Sequence, residues 1–151
     1  MKHSETARSV DVKMTRADLL AERLDAARAE GLQIAMCHGV FDLLHPGHLR
    51  HLARAKELAD VLVVSITADR FVNKGPGRPA FTQNLRAEAL GSLESVDFVI
   101  ITPDATALPA ISAIKPNFYV KGGDYVDEDT DVTGNIRRER ELVESFGGEL
   151  V

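Results

Sequence analysis

At 151 residues, 44% hydrophobic and 27% charged, the chain is long enough for one globular domain with a real core and too short for two ordinary ones. A net charge of −5 argues against a general binder of nucleic acid or of an acidic membrane surface, and a single cysteine excludes an internal disulfide. No apolar run approaches a transmembrane helix, no signal-peptide pattern opens the chain, and no Cys/His cluster has zinc spacing, so a cytoplasmic domain with no metal-ligand set of its own is expected.

Residues 1–14 are polar and unpatterned and read as a flexible N-terminus, with one domain over 15–151. Thr15-Arg16-Ala17-Asp18 is a helix-start signal, Leu19, Leu20, Leu24 and Ala27 follow at helical spacing, and Gly31 closes the helix. A buried strand is predicted over 33–38, and Cys37 inside it reads as core filler rather than a nucleophile. A helix then runs to about Leu58. Val61 to Ile66 is apolar without alternation, a strand buried on both faces. Asn73 to Pro79 is a loop rich in Gly, Pro and base. Leu85 to Leu93 is helical and Val96 to Ile101 is a strand. Thr106 to Ile114 is a short helix stopped by Lys115-Pro116. Asn117 to Val120 is a fourth strand, with Tyr119 in the core. An acidic loop leads to a helix over about 135–145, where Arg137 and Arg138 read as a solvated face, and Glu149-Leu150-Val151 opens a fifth strand. Strictly alternating strands and helices imply an α/β, Rossmann-like open parallel sheet of about five strands with helices on both faces.

The chemistry concentrates in Gly39-Val40-Phe41-Asp42-Leu43-Leu44-His45-Pro46-Gly47-His48, at the junction of the first strand and the next helix. Open α/β sheets bind ligands at such junctions, and a helix N-terminus favours phosphate. The H-x-G-H spacing puts two imidazoles one helical turn apart, where ring N–H groups can donate to one phosphate, and Gly47 lets the backbone come close. Asp42 reads as a residue that holds the loop. The absence of G-x-G-x-x-G after the strand disfavours an ordinary dinucleotide domain.

These residues, with Ser65 to Asp69, Lys74, Arg78-Pro79, Arg86, Val96-Asp97 and Lys121-Gly122-Gly123-Asp124-Tyr125, resemble the H-x-G-H nucleotidylyltransferase superfamily over roughly residues 33–151. The likeness is to its small cytidylyltransferase-type members: glycerol-3-phosphate cytidylyltransferases and the nucleotidyl-transfer domain of the bifunctional heptose enzymes. The resemblance implies direct in-line transfer of a nucleotidyl group to a phosphate or phosphonate oxygen, with release of pyrophosphate. It gives catalytic roles to His45 and His48 at the α- and β-phosphates, to Lys74 at the acceptor or α-phosphate, and to Arg86 at the departing pyrophosphate. It gives nucleotide binding to the backbone of Gly39, Val40 and Phe41, to Gly47, and to Lys121, Gly122 and Asp124. Mg²⁺ would arrive mainly through the triphosphate.

The expected reaction moves CMP from CTP to a small phosphorylated or phosphonate metabolite. The alternative is ATP as donor with a sugar 1-phosphate such as heptose 1-phosphate. A non-catalytic nucleotide-binding regulatory domain is the reading of another class. The resemblance further implies a homodimer and fusion to a kinase or mutase domain. Relatives carry a Ser/Thr-rich turn after the fifth strand, and residues 15–151 are expected to lack it.

Overall fold

The computed structural model describes residues 13–72, 75–122 and 134–151. In chain order these form β1 (Met14–Thr15), α1 (Ala17–Ala29), β2 (Ile34–Gly39), α2 (Pro46–Glu57) and β3 (Val61–Thr67), then a 3-10 turn (Asp69–Phe71). There follow α3 (Gln83–Gly91), β4 (Phe98–Thr102), α4 (Leu108–Ile114), β5 (Phe118–Tyr119), α5 (Asn135–Ser145) and β6 (Glu149–Leu150). The strands form one six-stranded sheet in the order β1-β4-β3-β2-β5-β6, with every pairing parallel.

Period-two alternation divides the core between the two faces of this sheet. Ala35, Cys37, Leu62, Val64 and Ile66 face α2 and α3, against Leu52, Ala55, Ala87 and Leu90. Ile34, Met36, Val63 and Ile100 face α1, α4 and α5, against Leu20, Leu24, Ile111 and Val143. Because both faces are covered, β2 and β3 are apolar throughout their inner residues, which is why they show no amphipathic alternation. Each large aliphatic side chain buried here contributes about 2 kcal/mol.

The sheet has one strand more than the five expected. Met14, assigned to the unpatterned N-terminus, pairs with Val99, and Thr15 pairs with Ile100. Lys13 Nζ donates to the Leu93 carbonyl beside it. A two-residue strand carries too few side chains to show a period, so nothing in the sequence marks it. Thr15 is therefore a strand residue, and Arg16 stands at the helix cap without a side-chain cap bond. The expectation of flexibility over 1–12 lies outside the described residues. Gly31 ends α1 as expected: at φ +84 it lets its own N–H reach the Arg28 carbonyl and Leu32 N–H reach that of Ala27. Helix α3 starts two residues before the predicted Leu85, because Thr82 Oγ1 caps it by accepting from Leu85 N–H.

Candidate active site

The strand order reverses direction between β2 and β5. From β2 the chain winds outward through β3 and β4, then returns to place β5 and β6 on the other side. Strand β2 feeds α2 on one face and β5 leads toward α5 on the other, so a crevice opens between their C-terminal ends. A cleft of about 1000 Å³ lies there, lined by His45, Gly47 and His48 from α2 and by Val120, Lys121 and Gly122 beyond β5.

His45 is the N-cap residue of α2, and its Nδ1 accepts the Gly47 N–H at 3.0 Å. His48, one turn on, accepts the His45 N–H through its own Nδ1 at 3.3 Å. The two imidazoles thus form a capping box, a role usually filled by Ser or Thr with Glu. Their rings stack with centroids 3.8 Å apart. A ring nitrogen that accepts a hydrogen bond carries no proton, so in the neutral ring the hydrogen of each sits on Nε2. Two N–H donors then stand beside the positive end of a helix, an arrangement suited to phosphate. Gly47 has a reason beyond close approach of a ligand: a Cβ there would lie 2.7 Å from His45 Cε1.

The loop before the helix is held from two sides. Arg86, fully buried on α3, donates Nε to the Phe81 carbonyl at 3.1 Å, Nη1 to that of Val40 at 2.8 Å and Nη2 to Asp69 Oδ1 at 2.7 Å. The guanidinium that the family likeness sets at the departing pyrophosphate is here hydrogen-bonded to protein acceptors beneath the loop. The i, i+4 pattern around Arg86 says helix but not which face is buried. Asp42 accepts from Arg78 Nε and the Ala80 and Phe81 amides at 2.7 to 2.9 Å. Burial raises its carboxyl pKa, but the two amides and Arg78 outweigh burial and hold it below the usual carboxylate range. This is the loop-holding role expected of Asp42. Phe41 takes φ +50, a left-handed conformation rare for a large side chain, and its ring meets that of His48 edge-on at 5.5 Å.

On the β5 side, Lys121 Nζ lies 2.9 Å from Glu139 Oε2, an ion pair whose angles fall short of a hydrogen bond. Tyr119 is buried in the core as expected, and its hydroxyl donates to Glu139 Oε1 at 3.3 Å. Burial and Glu139 together push the Tyr119 phenol well above its ordinary pKa. Cys37 is wholly buried, which raises its thiol to about 12 and fits the core-filler reading. His38, at the mouth of β2, is lowered to about 4 by burial and by the Lys121 charge. Arg137 and Arg138 lie on the exposed face of α5. Lys74 and Asp124 lie outside the described residues.

The Cytidylyltransferase-like family matches residues 36–147. This chain belongs to that family. It is 40% identical over 152 residues to the bifunctional protein HldE of Pelobacter propionicus, covering 99% of this chain and 29% of that protein. Against HldE of Nitrobacter hamburgensis it is 45% identical over 136 residues, covering 89% of this chain and 26% of the relative. The chain thus spans under a third of the length of the curated relatives it matches. Among solved structures, a lipopolysaccharide core biosynthesis protein from Thermoplasma volcanium superposes with a TM-score of 0.65 at 27% identity, over 80% of this chain and 93% of that one. A pantoate-beta-alanine ligase from Francisella tularensis, at TM-score 0.56 and 16% identity, shares the fold.

Within this family fold, His45, His48, Gly47, Lys121 and Gly122 come together in one cleft, with Gly39, Val40 and Phe41 forming the loop that leads into it. Arg86 stands behind that loop. Sequence reasoning missed Glu139 and His38. A glutamate in a run as charged as Arg137 to Glu141 carries no mark of burial, and His38 sits one residue outside the motif that drew attention. Among the described residues, no helix is long and apolar enough to cross a membrane and no group of three or more His, Cys, Asp or Glu could hold a metal ion.

Proposed function

We propose that this chain is a nucleotidyltransferase domain that moves AMP from ATP to the phosphate of a heptose 1-phosphate and releases pyrophosphate. The observation that carries this reading is 38–45% identity to bifunctional HldE proteins over nearly the whole chain, together with the paired imidazoles in the cleft. The likeness to bifunctional HldE proteins supports the alternative that the family resemblance implied, ATP with a sugar 1-phosphate, over CTP, and fusion to a kinase domain belongs to the same reading. Cytosolic placement and a homodimer belong to the same reading.

The donor triphosphate lies along the N-terminus of α2. His45 and His48 present Nε2–H groups to the α- and β-phosphates, where charge builds as an acceptor oxygen attacks the α-phosphorus. The bond from that phosphorus to the bridging oxygen breaks on the opposite side, and pyrophosphate carries away the electron pair. Gly39, Val40 and Phe41 shape the cradle, which Arg86 props from behind. Lys121 and Gly122 border the nucleoside. Lys74 and Asp124 keep, on the sequence alone, the acceptor and nucleoside roles the family likeness implies. Among the described residues, the carboxylates beside this loop are already bound, Asp42 by Arg78 and two amides and Asp69 by Arg86. Mg²⁺ therefore fits as a companion of the triphosphate, neutralising its oxygens.

Pyrophosphate release from the 151-residue chain, with ATP or CTP and with or without heptose 1-phosphate, tests this. The expected result is release with ATP that depends on acceptor. Preference for CTP would restore the cytidylyl reading, and nucleotide binding without release would make the domain a sensor.

A further inference from the structure

The face of the sheet opposite α2 carries a second polar feature that the catalytic reading does not use. His38 stands near the end of β2, Ser65 and Thr67 at the end of β3, and Thr102 closes β4. Register pairs His38 with Ser65 and Thr67 with Thr102. Alternate residues of a strand share a face, so all four side chains project toward the side of α1, α4 and α5. One or two rungs back, the same face carries Met36, Val63 and Ile100. The change from apolar to polar thus comes at the C-terminal edge, where such sheets bind ligands.

The row is partly satisfied. His38 Nδ1 lies 2.6 Å from Ser65 Oγ, and its Nε2 lies 3.4 Å from Thr67 Oγ1. Thr102, 3% exposed, has no hydrogen-bond partner for its Oγ1 among the described residues. A buried hydroxyl without a partner is a standing cost that valine, of nearly the same shape, would avoid.

We propose that His38, Thr67 and Thr102, with the wholly buried Ser65 holding the His38 ring, form a subsite for the hydroxyl groups of a polyhydroxylated acceptor, a sugar phosphate. The proposal rests on the nucleotidyl-transfer reading and names the part of the acceptor that the site recognises. In-line displacement requires the attacking oxygen to approach from the side away from the departing pyrophosphate. With the donor tail at the N-terminus of α2, that approach comes over the sheet edge from the opposite face, where the row stands. Sugar hydroxyls both donate and accept hydrogen bonds. Serine and threonine hydroxyls and a neutral imidazole do the same, whereas a site for phosphate alone would call for cations. Burial, with Lys121 nearby, keeps the His38 ring neutral at physiological pH.

Thr102→Val removes the hydroxyl and little else, and Thr102→Ser restores it. With ATP and heptose 1-phosphate, Thr102→Val is expected to raise the acceptor KM about tenfold, on the scale of one unpaired polar group. The ATP KM should stay put, the melting temperature should hold or rise, and Thr102→Ser should recover most of the loss in acceptor KM. An unchanged acceptor KM, or equal rises in both KM values, overturns the subsite while leaving nucleotidyl transfer intact. If the wild-type chain releases no pyrophosphate from this pair, that reading of the reaction fails separately. The subsite is then judged by saturation-transfer NMR of heptose 1-phosphate with a non-hydrolysable ATP analogue. Transfer lost in Thr102→Val supports it; transfer in both proteins, or in neither, overturns it.

Discussion

The guanidinium of Arg86 reaches the carbonyl of Val40 across 46 residues of sequence, at 2.8 Å, and so ties helix α3 to the loop that precedes the histidine pair. Its other bonds, to Phe81 and Asp69, leave the group fully buried with its charge facing one carboxylate. Removing Arg86 leaves the Val40 and Phe81 carbonyls without their donor and deprives Asp69 of its cation. Arg86→Ala should therefore destabilise the fold by about 3 kcal/mol, a melting-temperature drop of about 10 °C for a chain of this size, with turnover falling alongside. Thermal denaturation checks this. A variant that melts normally and loses only triphosphate affinity would return Arg86 to the cleft.

His48 has two roles that can be separated. Its Nδ1 caps a helix, worth about 1 kcal/mol, while its Nε2 faces the transferring phosphate in the proposed reaction. His48→Ala should lower turnover by about two to four orders of magnitude, the scale of one preorganised donor, with a loss of only a few degrees in melting temperature. A rate within threefold of wild type would remove this ring from the mechanism.

Gly47→Ala sets helix propensity against geometry. Alanine favours the first turn by about 0.5–1 kcal/mol, yet its Cβ would press on the His45 ring at 2.7 to 2.9 Å. The expected outcome is a melting temperature equal to or above that of wild type together with a kcat/KM at least tenfold lower. Retained activity would show that the stacked ring position does not matter.

His38 makes stability depend on acid. Its pKa near 4 in the folded chain lies below the ordinary 6.5, so between those values the unfolded chain binds a proton that the folded one refuses. Stability from this group is complete above about pH 6.5 and is lost as pH falls toward 4, by about 2 to 3 kcal/mol. Asp42, held below its ordinary value, adds a loss in the same direction at still lower pH. Urea denaturation of wild type and His38→Gln from pH 7 to 4 checks this, with the flatter profile expected for the variant.

Much of the fold was legible because its signals are local. Val61 to Ile66 is a short apolar run bounded by polar residues, and Gly31 and Lys115-Pro116 mark helix ends within a few positions. Strand β1 was not legible, since two residues show no period and its pairing partners, Val99 and Ile100, lie 85 positions on. At the site, the H-x-G-H turn could be read because capping and ring spacing are properties of four consecutive residues. The placement of Arg86 could not, because an amphipathic pattern does not say what acceptors wait beneath a helix.

The sequence by itself determined the parallel α/β plan and the position of two imidazoles at the start of a helix, since both follow from side-chain periodicity and backbone capping over short spans. Only the tertiary structure decided which charges face the cleft and which are spent inside the protein. Arg86 with Val40, Lys121 with Glu139 and the unpaired hydroxyl of Thr102 each depend on strands and helices meeting across long stretches of chain. Burial and hydrogen-bond satisfaction are properties of that meeting.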